Sequence, residues 1–140
     1  MKISMTYLGN SYYNETPEEF EGVCLDTKVV VQCPTRRPDK SIFFDEKKGR
    51  LTYFTSLNDV FFVLVKMDSY SFHLIERETG MIVAQAFCKS YKEAMKDILE
   101  YSNFRSILSN PENSNWEQMH TRGKKNYEEW MTNWKNEGAC

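Results

Sequence analysis

Four cysteines and two histidines are the side chains in this sequence that could bind a metal ion or act as nucleophiles. Structural zinc sites usually take two ligands from one tight turn, as in the spacing Cys-x-x-Cys. The two candidate ligands nearest to each other, Cys24 and Cys33, are instead separated by a predicted strand. His73 and His120 lie beside polar residues, and no signature of a catalytic cysteine or serine is present. The sequence therefore predicts no catalytic residue, no metal site and no cofactor.

One acidic triplet has a spacing that suits phosphodiester chemistry. Glu46-Lys47-Lys48 fits the Glu-x-Lys half of a restriction-nuclease-like core, in which the carboxylate holds a metal and the lysine steadies charge near the attacking water. That chemistry needs a rigid central strand, whereas the triplet falls in a predicted hairpin loop. We therefore interpret it as a solvated turn. Glycine-rich phosphate-binding loops are absent from the sequence.

Positive charge is concentrated in residues 34–50, which carry six basic and three acidic side chains although the whole chain has a net charge of −2. The basic residues are Arg36, Arg37, Lys40, Lys47, Lys48 and Arg50. Four aromatic residues lie close by, namely Phe43, Phe44, Tyr53 and Phe54. Such interleaving could stack bases and hold phosphates. Three acidic residues interrupt the positive charge and no RNP-like motif is present, so an acidic patch on a protein is the preferred partner.

A stripe of aromatic residues near the C-terminus is the second candidate for binding. Trp116, Met119, Gly123, Tyr127, Trp130, Met131 and Trp134 recur at spacings of three and four, which places them on one helical face. Most of this face is expected to pack in the core. The stripe is roughly 30 Å long, however, and a small sheet cannot cover all of it. We therefore expect Tyr127, Trp130 and Trp134 to contact a partner, and Gly123 to permit close approach by a neighbouring element.

Alternating and β-branched apolar residues predict the strands. They fall at residues 2–8, 27–33, 42–44, 51–54, 60–65, 70–77 and 81–87. Pro34 is expected to end the second of these, and residues 45–50 are expected to form the polar loop of a hairpin. Thr16-Pro17-Glu18-Glu19-Phe20 resembles a helical turn. We predict an antiparallel sheet of about five to six strands, with its hairpins in residues 40–87.

Two capping boxes, at Ser90 and Ser114, each precede apolar residues at helical spacing. They predict two C-terminal helices, at about 90–109 and 115–136, that cover the sheet. The predicted fold class is α+β. With 140 residues, and no internal repeat or glycine-serine linker, the chain is expected to form one domain over residues 1–140.

Composition narrows the class of protein. An apolar fraction of 41% and an aromatic fraction of 14% argue against a disordered chain. A net charge of −2 is too acidic for a typical DNA-binding domain and too weak for a mimic of DNA. No secretory signal or membrane-spanning run is visible. We therefore expect a cytoplasmic protein with reduced thiols and no membrane partner.

These observations favour a non-enzymatic module that binds another protein. We interpret it as an inhibitor that sterically blocks a larger protein, of the kind that phages and other mobile elements use against host defence, or an immunity-like partner of a toxin. The predicted partner-binding residues are Arg36, Arg37, Lys47, Lys48, Arg50, Tyr127, Trp130 and Trp134. The alternatives are a sheet that binds single-stranded nucleic acid and a small hydrolase or nuclease. The sequence leaves the oligomeric state open.

Overall fold

A computed structural model of the protein describes residues 2–8, 19–57, 60–100, 104–113 and 115–138. Within these residues lie six strands and three α-helices. The strands are β1 (Lys2–Leu8), β2 (Glu19–Arg36), β3 (Ile42–Phe54), β4 (Phe61–Asp68), β5 (Ser71–Glu76) and β6 (Ile82–Ala86). The helices are α1 (Tyr91–Glu100), α2 (Phe104–Ser109) and α3 (Trp116–Gly138), with a 3₁₀ turn at Pro111–Asn113. The predicted α+β class is confirmed, and the helix expected at 90–109 corresponds to α1 and α2.

The sheet is antiparallel throughout, and its strands follow one another in chain order from β1 to β6. β2 and β3 are much longer than the others. β1 pairs with the start of β2, at Glu19–Leu25, and β4 pairs with β3 only near the end of that strand, at Arg50–Tyr53. The remaining parts of β2 and β3, residues 28–36 and 42–50, pair with each other as a two-stranded ribbon.

The ribbon folds over one face of the sheet. Its inward-facing side chains pack against β4 and β5 in a small core made of Val29, Val31, Cys33, Val63, Val65 and Ile75. The bend coincides with a register shift between Cys24 and Lys28, since such irregularities increase local twist. On the opposite strand, Gly49 lies so close to β4 that a Cβ atom there would meet the backbone carbonyl of Leu64 and approach Val63 to 2.9 Å.

The larger core lies on the other face, beneath the helices. The apolar stripe predicted for α1 is confirmed, because Ala94, Met95, Ile98 and Leu99 are all buried. The predicted cap of α1 is confirmed as well, with the Glu93 N–H donating to the Ser90 hydroxyl at 3.1 Å. The predicted cap at Ser114 lies outside the described residues. Four aromatic rings fill the centre of this core: Phe54, Phe62, Phe104 and Trp116.

The hairpin loop predicted at residues 45–50 is wrong. These residues form the middle of β3 and pair with Lys28–Cys33 of β2. A polar strand is stable here because only one face of the ribbon is buried. The side chains of Glu46 and Lys48 are on the exposed face. Lys47 is on the other face, where it pairs with the buried Val31. The Glu-x-Lys triplet is therefore on a strand, but on the outer ribbon rather than in the centre of the sheet.

Pro34 does not end β2, which is a second correction. It pairs with Phe44, and the strand continues to Arg36. Proline is tolerated where a strand has a free edge, and beyond Leu25 the described residues offer β2 no second neighbour. Glu19 and Phe20 belong to β2 rather than to a helical turn, while the rest of that predicted turn, residues 16–18, lies outside the described part.

The apolar run Val60–Val65 predicts a strand buried on both faces, and this is confirmed for Phe62–Val65 of β4, whereas Phe61 is 44% exposed. In β5, as its alternation predicts, the side chains of Phe72 and Leu74 point into the core while His73 is only half-buried. Within the described ranges, no helix combines the length and apolar character needed to cross a membrane.

Candidate functional site

The basic residues singled out in the sequence do not form one patch. Arg50, at the base of the ribbon, is engaged by its neighbours: its guanidinium lies over the Tyr91 ring at 4.0 Å and 3.5 Å from the Asp26 carboxylate. Lys47 pairs with Asp45 at 2.9 Å. Lys48 is exposed on the outer side of the ribbon. Arg50 and Lys47 are therefore largely committed to contacts within the chain.

Arg36 and Arg37 lie at the tip of the ribbon, where the chain turns from β2 to β3. Arg36 is exposed, and Arg37 rests over the Phe43 ring at 5.2 Å and donates to the Ser41 hydroxyl at 3.2 Å. The turn is held by Asp39, whose carboxylate accepts from the Ser41 hydroxyl at 2.6 Å and from its N–H at 3.0 Å. Hydrogen bonds from Ser41 to the charged form lower the pKa of the Asp39 carboxyl. The tip is therefore an ordered turn.

The aromatic stripe of α3 is divided between the core and the surface. Trp116 is only 5% exposed and packs in the main core, so it is not available to a partner. Tyr127, Trp130 and Trp134 are half-buried. Gly123 lies between these two groups and permits close approach, as expected: a Cβ there would be 3.0 Å from the side chain of Met81. The tyrosine and tryptophan side chains of α3 that a partner could contact are therefore those in its C-terminal half.

Phe44 connects the two candidate regions. Its ring meets Tyr127 edge-on with centroids 5.1 Å apart, and stacks on Trp134 at 5.5 Å. Phe44 pairs with Pro34 in the ribbon, two positions from the pair of Arg36 and Ile42. We call the resulting surface the tip surface; it consists of Arg36, Arg37, Tyr127, Trp130 and Trp134. The sequence contains no signal that Phe44 contacts α3.

Phe44 and Phe54 cannot serve as platforms for stacked bases, because they are only 5% and 1% exposed. Tyr53 remains half-buried and faces Phe61, with the two rings 6.2 Å apart. The aromatic residues that suggested nucleic-acid binding are thus largely used in packing.

A buried glutamate with a histidine beside it was not predicted from the sequence. Glu76 is fully buried, and its Oε1 lies 2.8 Å from Nε2 of His120 on α3. The two atoms are close but are not aligned as a hydrogen bond. The other carboxylate oxygen accepts from the N–H of Glu78. Glu76 continues the alternation of Phe72 and Leu74, and this inward position was the signal that it is buried.

His120 also lines a surface cavity of about 260 Å³, stacked on Trp116 with centroids 5.3 Å apart. Ser56 and Leu57 form part of the opposite wall. A histidine oriented by a carboxylate is a residue type used in general acid–base catalysis. The arrangement also fixes α3 to the end of β5, and this structural role is sufficient to account for both residues.

Cys24, Cys33 and Cys88 are buried free thiols. Burial raises the pKa of Cys24 and Cys88, and raises that of Cys33 to about 11. The described residues contain no group of three potential metal ligands. Cys140, expected to be the most reactive thiol, lies outside the described part. Burial and the nearby Cys33 also raise the pKa of Tyr127.

The raised pKa values of these thiols predict that the protein becomes less stable at alkaline pH. An unfolded thiol ionises near its ordinary value of 9.0, whereas folded Cys33 keeps its proton to about pH 11. Stability is therefore intact below pH 9.0 and falls as pH rises toward 11, by about 2 kcal/mol for Cys33. Urea unfolding from pH 8 to 11 measures this. Cys33→Ala, although less stable at every pH, is expected to show a shallower decline; an equal decline would contradict the assignment.

No known protein family, curated protein or solved structure matches this chain. Its function must therefore be inferred from its own side chains. Among the predicted partner-binding residues, Tyr127 and Trp134 contact Phe44, which lies in the ribbon two positions from the pair of Arg36 and Ile42. Lys47 and Arg50 instead make contacts within the chain.

Proposed function

We propose that this protein is a non-enzymatic binding module that inhibits a larger protein by blocking its surface. The observation that supports the proposal is the contact of Phe44 with Tyr127 and Trp134, because Phe44 lies in the ribbon two positions from the pair that includes Arg36. The partner would present an acidic surface with an apolar recess. A host-defence protein, or a toxin controlled by an immunity-like partner, is the class we favour.

The tip surface has the composition of an interface hot spot. Tryptophan, tyrosine and arginine carry a disproportionate share of binding energy in protein interfaces. Trp130 and Trp134 would supply apolar anchors, since both keep part of their surface exposed. Arg36 and Arg37 would raise the association rate by attracting an acidic partner. The hydrogen-bonded turn at Asp39 supports this role, because a preformed loop loses little entropy on binding.

Affinity capture from lysates of candidate host cells tests the proposal. The immobilised proteins are wild type, Trp130→Ala and the double charge reversal Arg36→Glu/Arg37→Glu. We expect wild type to retain a specific protein and each variant to retain at least about tenfold less of it, which corresponds to 1.4 kcal/mol. The loss for the charge-reversed variant should come mainly from a slower association rate, measured with the purified partner.

Two matched controls use exposed residues away from the tip surface. Lys92→Glu/Lys96→Glu reverses two charges on α1, and Met119→Ala removes an exposed apolar side chain from α3. Both are expected to capture the partner like wild type. If no protein is retained, or if the tip variants and controls retain it equally, the proposed docking surface is wrong.

A further inference from the structure

The last strand of the sheet has an outer edge that no strand covers in the described residues. β6 pairs with β5 on one side, and it ends the strand order. The stretch Met81–Phe87 contains no charged residue and no proline. Free edges in monomeric proteins are usually protected by charges, prolines or covering loops, because their unpaired N–H and C=O groups otherwise accept another strand. β6 lacks the first two of these protections.

Exposed apolar side chains are concentrated at this edge. Ile82 is 51% exposed and Phe87 is 65% exposed. Tyr70, at 53%, and Met67, at 36%, lie on the β4–β5 hairpin. They are close to Phe87 in the sheet, since Ala86 pairs with Phe72. These four are most of the seven large apolar side chains that are more than a third exposed in the described chain. Such a group of exposed apolar side chains is typical of an interaction surface.

We propose that β6 pairs with β6 of a second copy of this chain, antiparallel and about a twofold axis, to join two sheets into one. Antiparallel pairing about an axis at Gln85 brings opposite ends of the strand together, so Val83 of one copy lies opposite Phe87 of the other, with Ile82 next to it. Gln85, which is exposed, lies between them. Its amide both donates and accepts hydrogen bonds, so it can pair with its own copy across the axis. Because β6 carries no charged side chain, pairing it with β6 of a second copy places no like charges opposite each other.

The predicted association is weak and reversible. β6 has only five residues, and a strand edge of this length buries less than the 1,200 Å² or so of a stable interface. We expect a dissociation constant on the order of 100 µM. None of the tip-surface residues lies on β6, so both copies can still bind partners. The dimer is therefore independent of the proposed inhibitory function, and its failure would leave that function unaffected.

Sedimentation of the full-length protein across a range of concentrations, from about 10 µM to 1 mM around the expected constant, tests the pairing. Wild type is expected to shift from monomer to dimer. Gln85→Lys places a positive charge opposite its own copy and is expected to weaken the dimer at least tenfold; Ile82→Lys should do the same. Val30→Lys, at a position 42% exposed on the ribbon, is the matched control and is expected to dimerise like wild type.

Hydrogen exchange gives a second measurement that identifies the strand. Amides of residues 82–86 are expected to gain protection as wild-type concentration rises, and to show no such gain in Gln85→Lys. If wild type stays monomeric at every concentration, self-pairing is wrong. An extended segment of another protein would then be the partner of this edge. A dimer that survives in Gln85→Lys and Ile82→Lys without protection of β6 overturns it equally.

Discussion

Replacing His120 with alanine is expected to destabilise the fold by roughly 3 kcal/mol, because it leaves a buried polar group without its neighbour. The imidazole lies 2.8 Å from the carboxyl group of Glu76, which is fully buried. Without the imidazole, this carboxyl group keeps the cost of burial and loses the polar neighbour that offsets it. The cost is limited because the His120 side chain is 18% exposed, so water can reach the vacated site. Urea unfolding at pH 7 measures the change.

The double variant Glu76→Leu/His120→Ala separates this effect from loss of packing. Removing the carboxyl group as well leaves no unpaired buried polar group, so the double variant is expected to be more stable than His120→Ala alone. Replacing both members of a buried polar pair with apolar side chains is often nearly neutral. If the double variant is less stable than the single one, the pair contributes packing only, and an unpaired polar group is not the cause of the loss.

Replacing Gly80 with alanine is expected to cost about 2–4 kcal/mol, from backbone strain and steric overlap together. Gly80 has a φ of +68° and closes the turn from β5 to β6, where its N–H donates to the Glu76 carbonyl at 2.9 Å. A Cβ atom would meet the backbone carbonyl of Gln32 and lie 2.6 Å from Cδ of Pro34. Neither group can move without displacing β2. Thermal and urea unfolding both test this.

Gly123→Ala is the matched control, since it adds the same atom in a different setting. There the new Cβ would meet the flexible side chain of Met81 at 3.0 Å. A helical alanine gains about 1 kcal/mol over glycine, which offsets the displacement of Met81. We expect a net change within about 1 kcal/mol. If Gly80→Ala is tolerated as well as Gly123→Ala, the turn does not contact β2 as described.

A helix or strand could be predicted from the sequence where the order of its apolar and polar residues matched its buried and exposed faces. The apolar run Val60–Val65 indicated a strand buried on both faces, which holds for Phe62–Val65. The spacing of Ala94, Met95, Ile98 and Leu99 indicated a helix with one buried side. Both patterns depend only on which neighbours in the chain share a face, which is fixed by the geometry of a helix or a strand.

β3 shows why the ribbon could not be predicted. Asp45–Arg50 looks like a loop because its residues are polar and include a glycine. It is a strand because β2 supplies the pairing, and because one side of the ribbon is open to water. Gly49 is needed for close approach to the Leu64 carbonyl and not for a turn. Local composition cannot distinguish these two uses of glycine.

The sequence by itself determined the fold class, most strand positions, the capped start of α1 and the aromatic face of α3, since all of these follow from periodicity within a single element. Only the tertiary structure decided that Phe44 meets Tyr127 and Trp134, that His120 lies beside Glu76, and that β6 is the last of the described strands in the sheet. Each of these depends on how the long β2–β3 hairpin bends and where α3 then docks. Such contacts join residues distant in the chain, and their energy depends on a partner that no local pattern contains.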